Sequence, residues 1–439
     1  MAETKKTKSA ASGSGPLQAP KGMHDVLPAE QPYWERIRTV TKELADFYNF
    51  SKIDLPVLES ARLFERGVGA ETDIVAKEMY TLKTRGGDVL ALRPEASAQL
   101  IRAYLEHGLS RLGQPQKLYL VERMFRHENP QHGRYRQFTQ VEFDIVGGVN
   151  DPIYDAQVIA TALRLIEGLK IKGAQLLINS IGCRICRPTY IRQLQGYYRT
   201  RTDGLCGDCV RRLKTNPLRL LDCKKEDCQK IKADAPNLLN RLCAGCSGHL
   251  KSVLEYLDEL QIPYELARDL VRGLDYYNRT VFEFEIREKG AEAGSVCGGG
   301  RYDYLAELLG GRPTLAVGWA MSFERLIDVM RAQEVTVSER PTKKVFVVHA
   351  GELAKKKALA LVEQVRQLGV TASESLARES LKAQLKVADR EKASLALIVG
   401  QKEVYDSTVI VRDLRSGLQE TIPLSKLGEE VKKRLKAAE

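Results

Sequence analysis

The sequence predicts an α+β protein: an antiparallel sheet flanked by helices, interrupted by a helical Cys-rich insertion and followed by a small α/β domain. Three observations carry this. From Arg134 to Ile145 alternate residues sort into two sets. Tyr135, Gln137, Thr139, Val141, Phe143 and Ile145 suit a core, whereas Arg134, Arg136, Phe138, Gln140, Glu142 and Asp144 lie opposite, as the period of a strand requires. Eight of the nine cysteines fall between Cys183 and Cys246, in segments rich in Arg and Lys. After residue 343, strand and helix patterns alternate with short connections, which argues for a small α/β unit.

Taken in order, residues 1–20 form a Lys/Ser/Gly/Ala/Pro tail with neither an apolar signal core nor the Arg-rich pattern of a transit peptide, so a disordered tail is expected. Glu30–Tyr48 has helical spacing, and "FSKIDLPVLE" reads as one strand with Pro56 near its end. Asn49 stands between them, where a left-handed residue is often needed. A hairpin turning at Gly86-Gly87 and a helix follow. Lys117–Arg126 and Arg134–Gly147 form a second hairpin, Asp155–Leu169 an amphipathic helix, and Gln175–Ser180 a strand. Residues 182–259 interrupt this rhythm as the insertion. The core, spanning 21–335, then resumes. Polar residues 336–343, with Pro341, mark a linker, and 344–439 make the last domain. Within it "KVFVVHA", "VTAS", "SLALIVG" and "STVIVRDL" read as strands, with helices at Ala354–Leu368, Ser380–Glu391 and the C-terminus.

A net charge of +11 with pI near 9.1 favours a polyanionic partner, although a basic surface also serves solubility. No run approaches the ~18 apolar residues of a membrane span. Without an export signal the chain is expected in the cytoplasm. The thiols of Cys183, Cys186, Cys206, Cys209, Cys223, Cys228, Cys243 and Cys246 occur as close pairs, the arrangement a tetrahedral zinc ion takes from two pairs. Disulfides and free buried thiols are the alternatives, and spacing leaves the pairing open. Cys297, alone in "SVCGGG", reads as a small packed residue.

Arg126, Arg134 and Arg136 sit at one end of the strand pattern, Phe138 follows, and Glu142 and Asp144 lie further on. Arginines suit phosphate oxygens, an aromatic ring can stack on a base, and carboxylates attract an ammonium or an imidazole N–H. That order fits a nucleotide beside an amine-bearing small molecule; the plainer reading is a solvated face with cross-strand ion pairs. "RGLDYYNRTVFEFE" places Arg272 in a turn ahead of Tyr276 and Tyr277. "GGGRYD" reads as a glycine-rich turn into a helix and matches neither a dinucleotide fingerprint nor a P-loop. "VGWAMSFER" presents Arg325 at a strand-to-helix junction. No zinc-protease motif or nucleophile elbow is evident, so an enzyme here is expected to work by positioning and charge stabilisation.

As a set these residues resemble the class II aminoacyl-tRNA synthetases, and among them those that charge histidine. "MFRHENPQHGRYRQF" is similar to the class II motif 2 and "VGWAMSFERL" to motif 3. Helix Glu30–Tyr48 with the strand to Pro56 resembles motif 1, which forms the dimer interface in the family, so a homodimer is expected. "LRPEAS", "RGLDYYNRTVFE" and "GGGRYDYL" resemble signatures of the histidine-specific members, and the last domain resembles an anticodon-binding domain. The resemblance implies ATP with Mg2+, L-histidine and tRNA(His) as reactants. It implies that Arg126 contacts the α-phosphate, that Glu128 and Arg134 join the ATP contacts, and that Phe138 and Arg325 enclose adenine. Glu95, Ala96, Ser97 and Gln140 would hold the amino group of histidine. Asp144, Tyr276 and Tyr277 would line its imidazole, Arg272 would face the carboxylate and the α-phosphate, and Gln131 would reach the tRNA acceptor end.

Four positions depart from the family pattern. Ala96-Ser97 stands where Gly-Thr is common, Ser322 replaces a glycine beside the adenine site, Asn129 replaces a frequent arginine, and Asn49 replaces a turn glycine. The rival reading is the histidine-sensing regulatory subunit of ATP phosphoribosyltransferase, which typically lacks the last domain and the "RGLDYY" arginine.

Overall fold

In the computed structural model the described residues are 16–130, 133–287, 294–337, 344–378 and 380–437. The chain divides into two compact units between residues 337 and 338. The first is built on an eight-stranded sheet: β1 (Ser51–Lys52), β2 (Gln116–Phe125), β3 (Gln137–Val146), β4 (Ala174–Ser180), β5 (Tyr264–Leu266), β6 (Asn278–Ile286), β7 (Gly294–Arg301) and β8 (Ala316–Ser322). Their order is β1-β2-β3-β8-β7-β6-β4-β5. From β2 to β4 all neighbours are antiparallel, and β1 and β5 add short parallel edges.

Alternation along these strands separates two faces. On one, Val141, Phe143 and Ile145 of β3 pack with Val317, Trp319 and Met321 of β8 and with Phe282 and Phe284 of β6. Helices Gln31–Tyr48, Ile153–Gly168, Ala244–Glu259 and Phe323–Ala332 contribute to the same core. Trp319 stacks on Phe143 at 4.9 Å between ring centroids, and its Nε1 donates to Thr161 Oγ1 at 2.9 Å, so its one polar group is satisfied on burial. The opposite face carries Gln140, Glu142 and Asp144 of β3.

Several elements differ from the sequence expectation for identifiable reasons. "FSKIDLPVLE" is not one strand. Ser51–Lys52 pairs with β2 in the main sheet, whereas Leu58–Ser60 joins a separate three-stranded sheet with Thr81–Lys83 and Val89–Leu92. Pro56 lies between them and has no N–H for a ladder. "GGGR" is not a turn: Gly298–Arg301 lie inside β7 and pair with both neighbours. Helix Ala244–Glu259, placed in the insertion by its sequence, buries Val253 and Leu257 in the main core, and its His249 Nε2 stands 3.3 Å from Asp155 Oδ1. Asn49 caps its helix at φ 61°, ψ 48°, donating its backbone N–H to Asp46 and Ala45 carbonyls as a left-handed residue, so it replaces a turn glycine with little strain.

Ser322, where a glycine was expected, ends β8 and caps the following helix. Its Oγ accepts from Arg325 N at 3.5 Å and donates to Glu324 Oε2 at 2.8 Å. Removing a capping hydroxyl costs ~1 kcal/mol. Ser322→Ala is therefore expected to lower the thermal midpoint by a few degrees, read by calorimetry; an unchanged midpoint would show that the hydroxyl does not cap.

The second unit has a five-stranded sheet in the order Thr371–Glu374, Lys344–His349, Leu395–Val399, Thr408–Asp413, Gln419–Pro423. The first three strands are parallel and the last two antiparallel. Helices Glu352–Gln367 and Leu427–Ala437 bury Leu361, Val365, Val431 and Leu435 against one face, and Ala388 of helix Leu381–Arg390 packs on the other. Residues Gln401–Tyr405 and Gln419–Pro423, unread in the sequence, form a short helix and the edge strand.

Candidate active site

Register across four strands builds the floor of the site. Glu142 of β3 faces Ala320 of β8, Ala320 faces Gly298 of β7, and Gly298 faces Glu283 of β6. One row further, Asp144 faces Gly318 and Gly318 faces Gly300. Small residues in the middle of the sheet make room for side chains above it. A Cβ on Gly298 would overlap the Arg272 guanidinium, one on Gly318 would overlap the Asp144 carboxylate, and one on Gly300 would stand 2.9 Å from the Tyr277 ring. The glycines of "GGG" are thus a hollow in a strand.

Arg272 reaches this hollow from the loop before β6. Its Nη1 donates to Glu283 Oε1, its guanidinium carbon stands 5.8 Å from the Tyr277 ring centroid, and its buried Nε has no partner. Beyond it lie three buried carboxylates, Glu95, Glu142 and Asp144. Glu95 accepts from Ala98 N at 3.1 Å and from the Tyr276 hydroxyl at 3.2 Å, and the same hydroxyl is 3.2 Å from Ser97 Oγ. Tyr302 donates to Asp144 Oδ1 at 2.5 Å. Burial pushes all three acids up: Glu142 also through the charges of Asp144 and Glu95, and Asp144 to about 7 against the Tyr302 hydrogen bond. Asp144 Oδ2 and Gln140 Oε1 are buried without partners. Unpaired acceptors in such a place call for donors from a ligand, and an ammonium or imidazole supplies them.

The other end of the site is cationic. Arg126 lies over the Phe138 ring at 5.2 Å and donates from Nε to Pro94 O at 2.8 Å. Arg134 is 3.8 Å from Glu128 and remains half exposed. Arg325, at the start of its helix, donates to Gly133 O at 3.2 Å and to Ser295 O, so it is tied into the site wall and is not a free surface cation. Glu324 beside it accepts from Thr139 N at 2.8 Å, and burial raises its carboxyl to about 7.

The structure therefore brings Glu95, Ala96, Ser97, Arg126, Glu128, Arg134, Phe138, Gln140, Asp144, Arg272, Tyr276, Tyr277 and Arg325 to one face of the sheet and the loops above it. Gln131 lies outside the described residues. Sequence reasoning missed Tyr302 and Glu283 as partners of Asp144 and Arg272. Tyr302 was in view within "GGGRYD", but reading that stretch as a turn hid its direction.

The eight insertion cysteines fall into two groups. Cys183, Cys186, Cys243 and Cys246 form one, and Cys206, Cys209, Cys223 and Cys228 the other, with the sulfurs of each group within 4.8 Å of one another.

A cationic end, an aromatic ring and a buried acidic end, set on one face of an antiparallel sheet, are the parts of a class II synthetase core. Residues 80–365 match the tRNA synthetase class II core domain (G, H, P, S and T), and residues 330–434 match an anticodon-binding domain. The chain is 44% identical over 418 residues to the histidine–tRNA ligase of Dehalococcoides mccartyi strain ATCC BAA-2266, covering 95% of this chain and 100% of that protein. It is 42% identical over 408 residues to that of Desulfosudis oleivorans, covering 93% and 96%. Its fold superposes on apo Staphylococcus aureus histidyl-tRNA synthetase with a TM-score of 0.79 at 32% identity, covering 95% and 100% of the two chains. The chain belongs to the histidine–tRNA ligase family of class II tRNA synthetases.

Proposed function

We propose that the protein activates L-histidine with ATP, entering as its Mg2+ complex, and transfers the histidyl group to the 3′ end of tRNA(His). The observation that carries this reading is the orientation of the site: arginines beside the Phe138 ring at one end, unpaired buried acceptors at the other, and Arg272 over the glycine hollow between them. Laid along that axis, the α-phosphate meets Arg126, the remaining phosphates meet Arg134, and Glu128 shares their surroundings. Adenine lies between Phe138 and Arg325. The ammonium of histidine sits near Glu95, Ser97 and Gln140, with Ala96 leaving space beside them. The imidazole reaches Asp144 between Tyr276 and Tyr277, and the carboxylate faces Arg272.

In the first step a carboxylate oxygen of histidine forms a bond to the α-phosphorus while the bond to the bridging oxygen breaks, and pyrophosphate leaves with the electron pair. In the second, a terminal ribose hydroxyl of tRNA attacks the acyl carbon, AMP leaves, and the hydroxyl proton is released. Negative charge shifts at the α-phosphate between the guanidinium groups of Arg126 and Arg272, whose forked donors suit phosphate oxygens. We place Gln131 at the acceptor end of the tRNA and 344–439 at its anticodon. The eight insertion cysteines take no part in these steps. Exposed Phe47, Val57 and Leu58 beside the motif 1 helix support a homodimer, the assembly proposed here. Among the described residues no helix is long and apolar enough to cross a membrane, consistent with a proposed place in the cytoplasm.

The test is ATP–pyrophosphate exchange with each amino acid in turn, without tRNA. Exchange with histidine alone is expected. Tight histidine binding with no exchange would favour a sensor subunit, against which Arg272 and the second unit both speak.

A further inference from the structure

We propose that the insertion holds two zinc ions in separate tetrathiolate sites, Cys183/Cys186/Cys243/Cys246 and Cys206/Cys209/Cys223/Cys228, and that together they position the Arg272–Tyr277 loop. The second clause rests on the synthetase reading; the first does not.

The geometry is that of a cage around one ion. The Sγ atoms of Cys183 and Cys186 are 3.9 Å apart, those of Cys183 and Cys243 3.8 Å, and those of Cys186 and Cys246 3.8 Å. In the other group Cys206 and Cys223 are 3.9 Å apart. Four sulfurs bound tetrahedrally at about 2.3 Å from zinc are about 3.8 Å from one another. A disulfide would need about 2.05 Å, and all nine cysteines are free. Backbone N–H groups point at the sulfurs as they would at thiolates: Cys183 N to Cys186 Sγ at 3.3 Å, Ile185 N to Cys183 Sγ at 3.4 Å, and Cys206 N to Cys228 Sγ at 3.2 Å. No carboxylate or histidine belongs to either group, and an all-sulfur tetrahedron of this size selects zinc over hard cations.

Each group also has a structural reason to exist. The insertion helices are short: Arg187–Arg199, Gly207–Thr215 and Glu226–Lys232. Helices of that length are marginal without tertiary support. The first group ties the start of this region to helix Ala244–Glu259, which is itself anchored in the main core. The second group ties together the two short helices and the segment between them.

Both groups lead directly to the site. Arg187 follows Cys186 and donates to the Tyr277 carbonyl at 2.6 Å. From the segment between Cys209 and Cys223, Asn216 donates to Asp275 Oδ1 at 2.6 Å, and Arg212 and Arg219 pair with Asp73 at 2.9 and 3.6 Å. Arg219 also lies 3.0 Å from the position of a Cβ on Gly273. The loop carrying Arg272, Tyr276 and Tyr277 is therefore braced from two sides by residues whose own backbones the thiolate cages hold.

Metal analysis of protein purified without chelators should find two zinc ions per chain, and cobalt substitution should give the visible bands of tetrahedral thiolate coordination. Cys206→Ser/Cys209→Ser and Cys243→Ser/Cys246→Ser should each lose one ion and keep the other. In either variant the histidine KM for exchange should rise about tenfold or more, since small misplacements of positioning groups have effects of that size, with the ATP KM changing much less. Asn216→Ala should keep both ions and still raise the histidine KM, a result that general destabilisation does not produce. Wild-type protein that is folded, free of zinc, and fully reactive at eight insertion thiols overturns the metal sites whatever the variants do. Loss of zinc that lowers only the melting temperature overturns the positioning role. Two zinc ions in a protein without exchange for any amino acid would support the metal sites and overturn the synthetase reading.

Discussion

Arg272→Ala should lower kcat for histidine-dependent ATP–pyrophosphate exchange by ~10²–10³-fold, with smaller changes in either KM; that is the range for removing one preorganised donor from a transition state. The guanidinium is held in advance: Glu283 takes Nη1, the Gly298 hollow admits the fork, and Nε is left buried without a partner in the protein. A donor kept free and already aimed costs no reorganisation when charge moves from the attacking carboxylate onto the α-phosphate and the leaving group. Arg272→Lys should restore little, because an ammonium cannot reproduce the fork. Gly298→Ala gives an independent route to the same result. It leaves Arg272 in the chain but puts a methyl group where its guanidinium lies, so exchange should fall here too. Both variants should keep their fold. Exchange within threefold of wild type in Arg272→Ala would remove this arginine from the chemistry.

What was legible in the sequence, and what was not, divides along a physical line. Local periodicity showed β3, because strand alternation is visible within ten residues, and it placed Phe138, Gln140, Glu142 and Asp144 on one face. It could not show that Gly298 lies between Ala320 and Glu283. That juxtaposition depends on the register of strands far apart in the chain, and a single slip reverses every face. The same limit hid Glu283 behind Arg272 and turned "GGG" into an apparent turn, since three glycines carry a turn signal whatever a distant side chain requires of them. Cysteine spacing disclosed pairs but not pairing. Cys183 and Cys186 meet Cys243 and Cys246 because helix Ala244–Glu259 is fixed by Val253 and Leu257 in the main core, a contact that no short-range pattern contains. Pro56 was visible, yet its consequence, two strands in different sheets, needed the partners of each half.

Asp144→Asn should raise the histidine KM by ~10–100-fold at pH 8, the cost of replacing a charged acceptor by a neutral one in a buried hydrogen bond, and the ATP KM should move within about twofold. Its pH dependence follows from where the carboxyl sits. Burial, then the charge of Glu95, lift it to about 7 against the Tyr302 hydrogen bond, above its value of ~3.9 in an unfolded chain. A carboxyl raised by folding binds its proton more tightly in the folded state. Stability therefore falls as pH rises between about 4 and 7, and the loss is complete above 7. At pH 8 the folded protein holds an ionised Asp144 whose Oδ2 has no partner, and an imidazole N–H supplies one. Histidine should accordingly raise the melting temperature more at pH 8 than at pH 6. In Asp144→Asn this difference should flatten, and the gap in histidine KM between the two proteins should narrow toward pH 6, where wild-type Asp144 is itself neutral. Free histidine titrates near 6.5 in both experiments alike, so the ratio of wild type to variant at each pH isolates the side chain. A ratio constant from pH 6 to 8 would place the imidazole elsewhere, and Glu142, the other raised carboxyl on the same strand face, would become the residue to change.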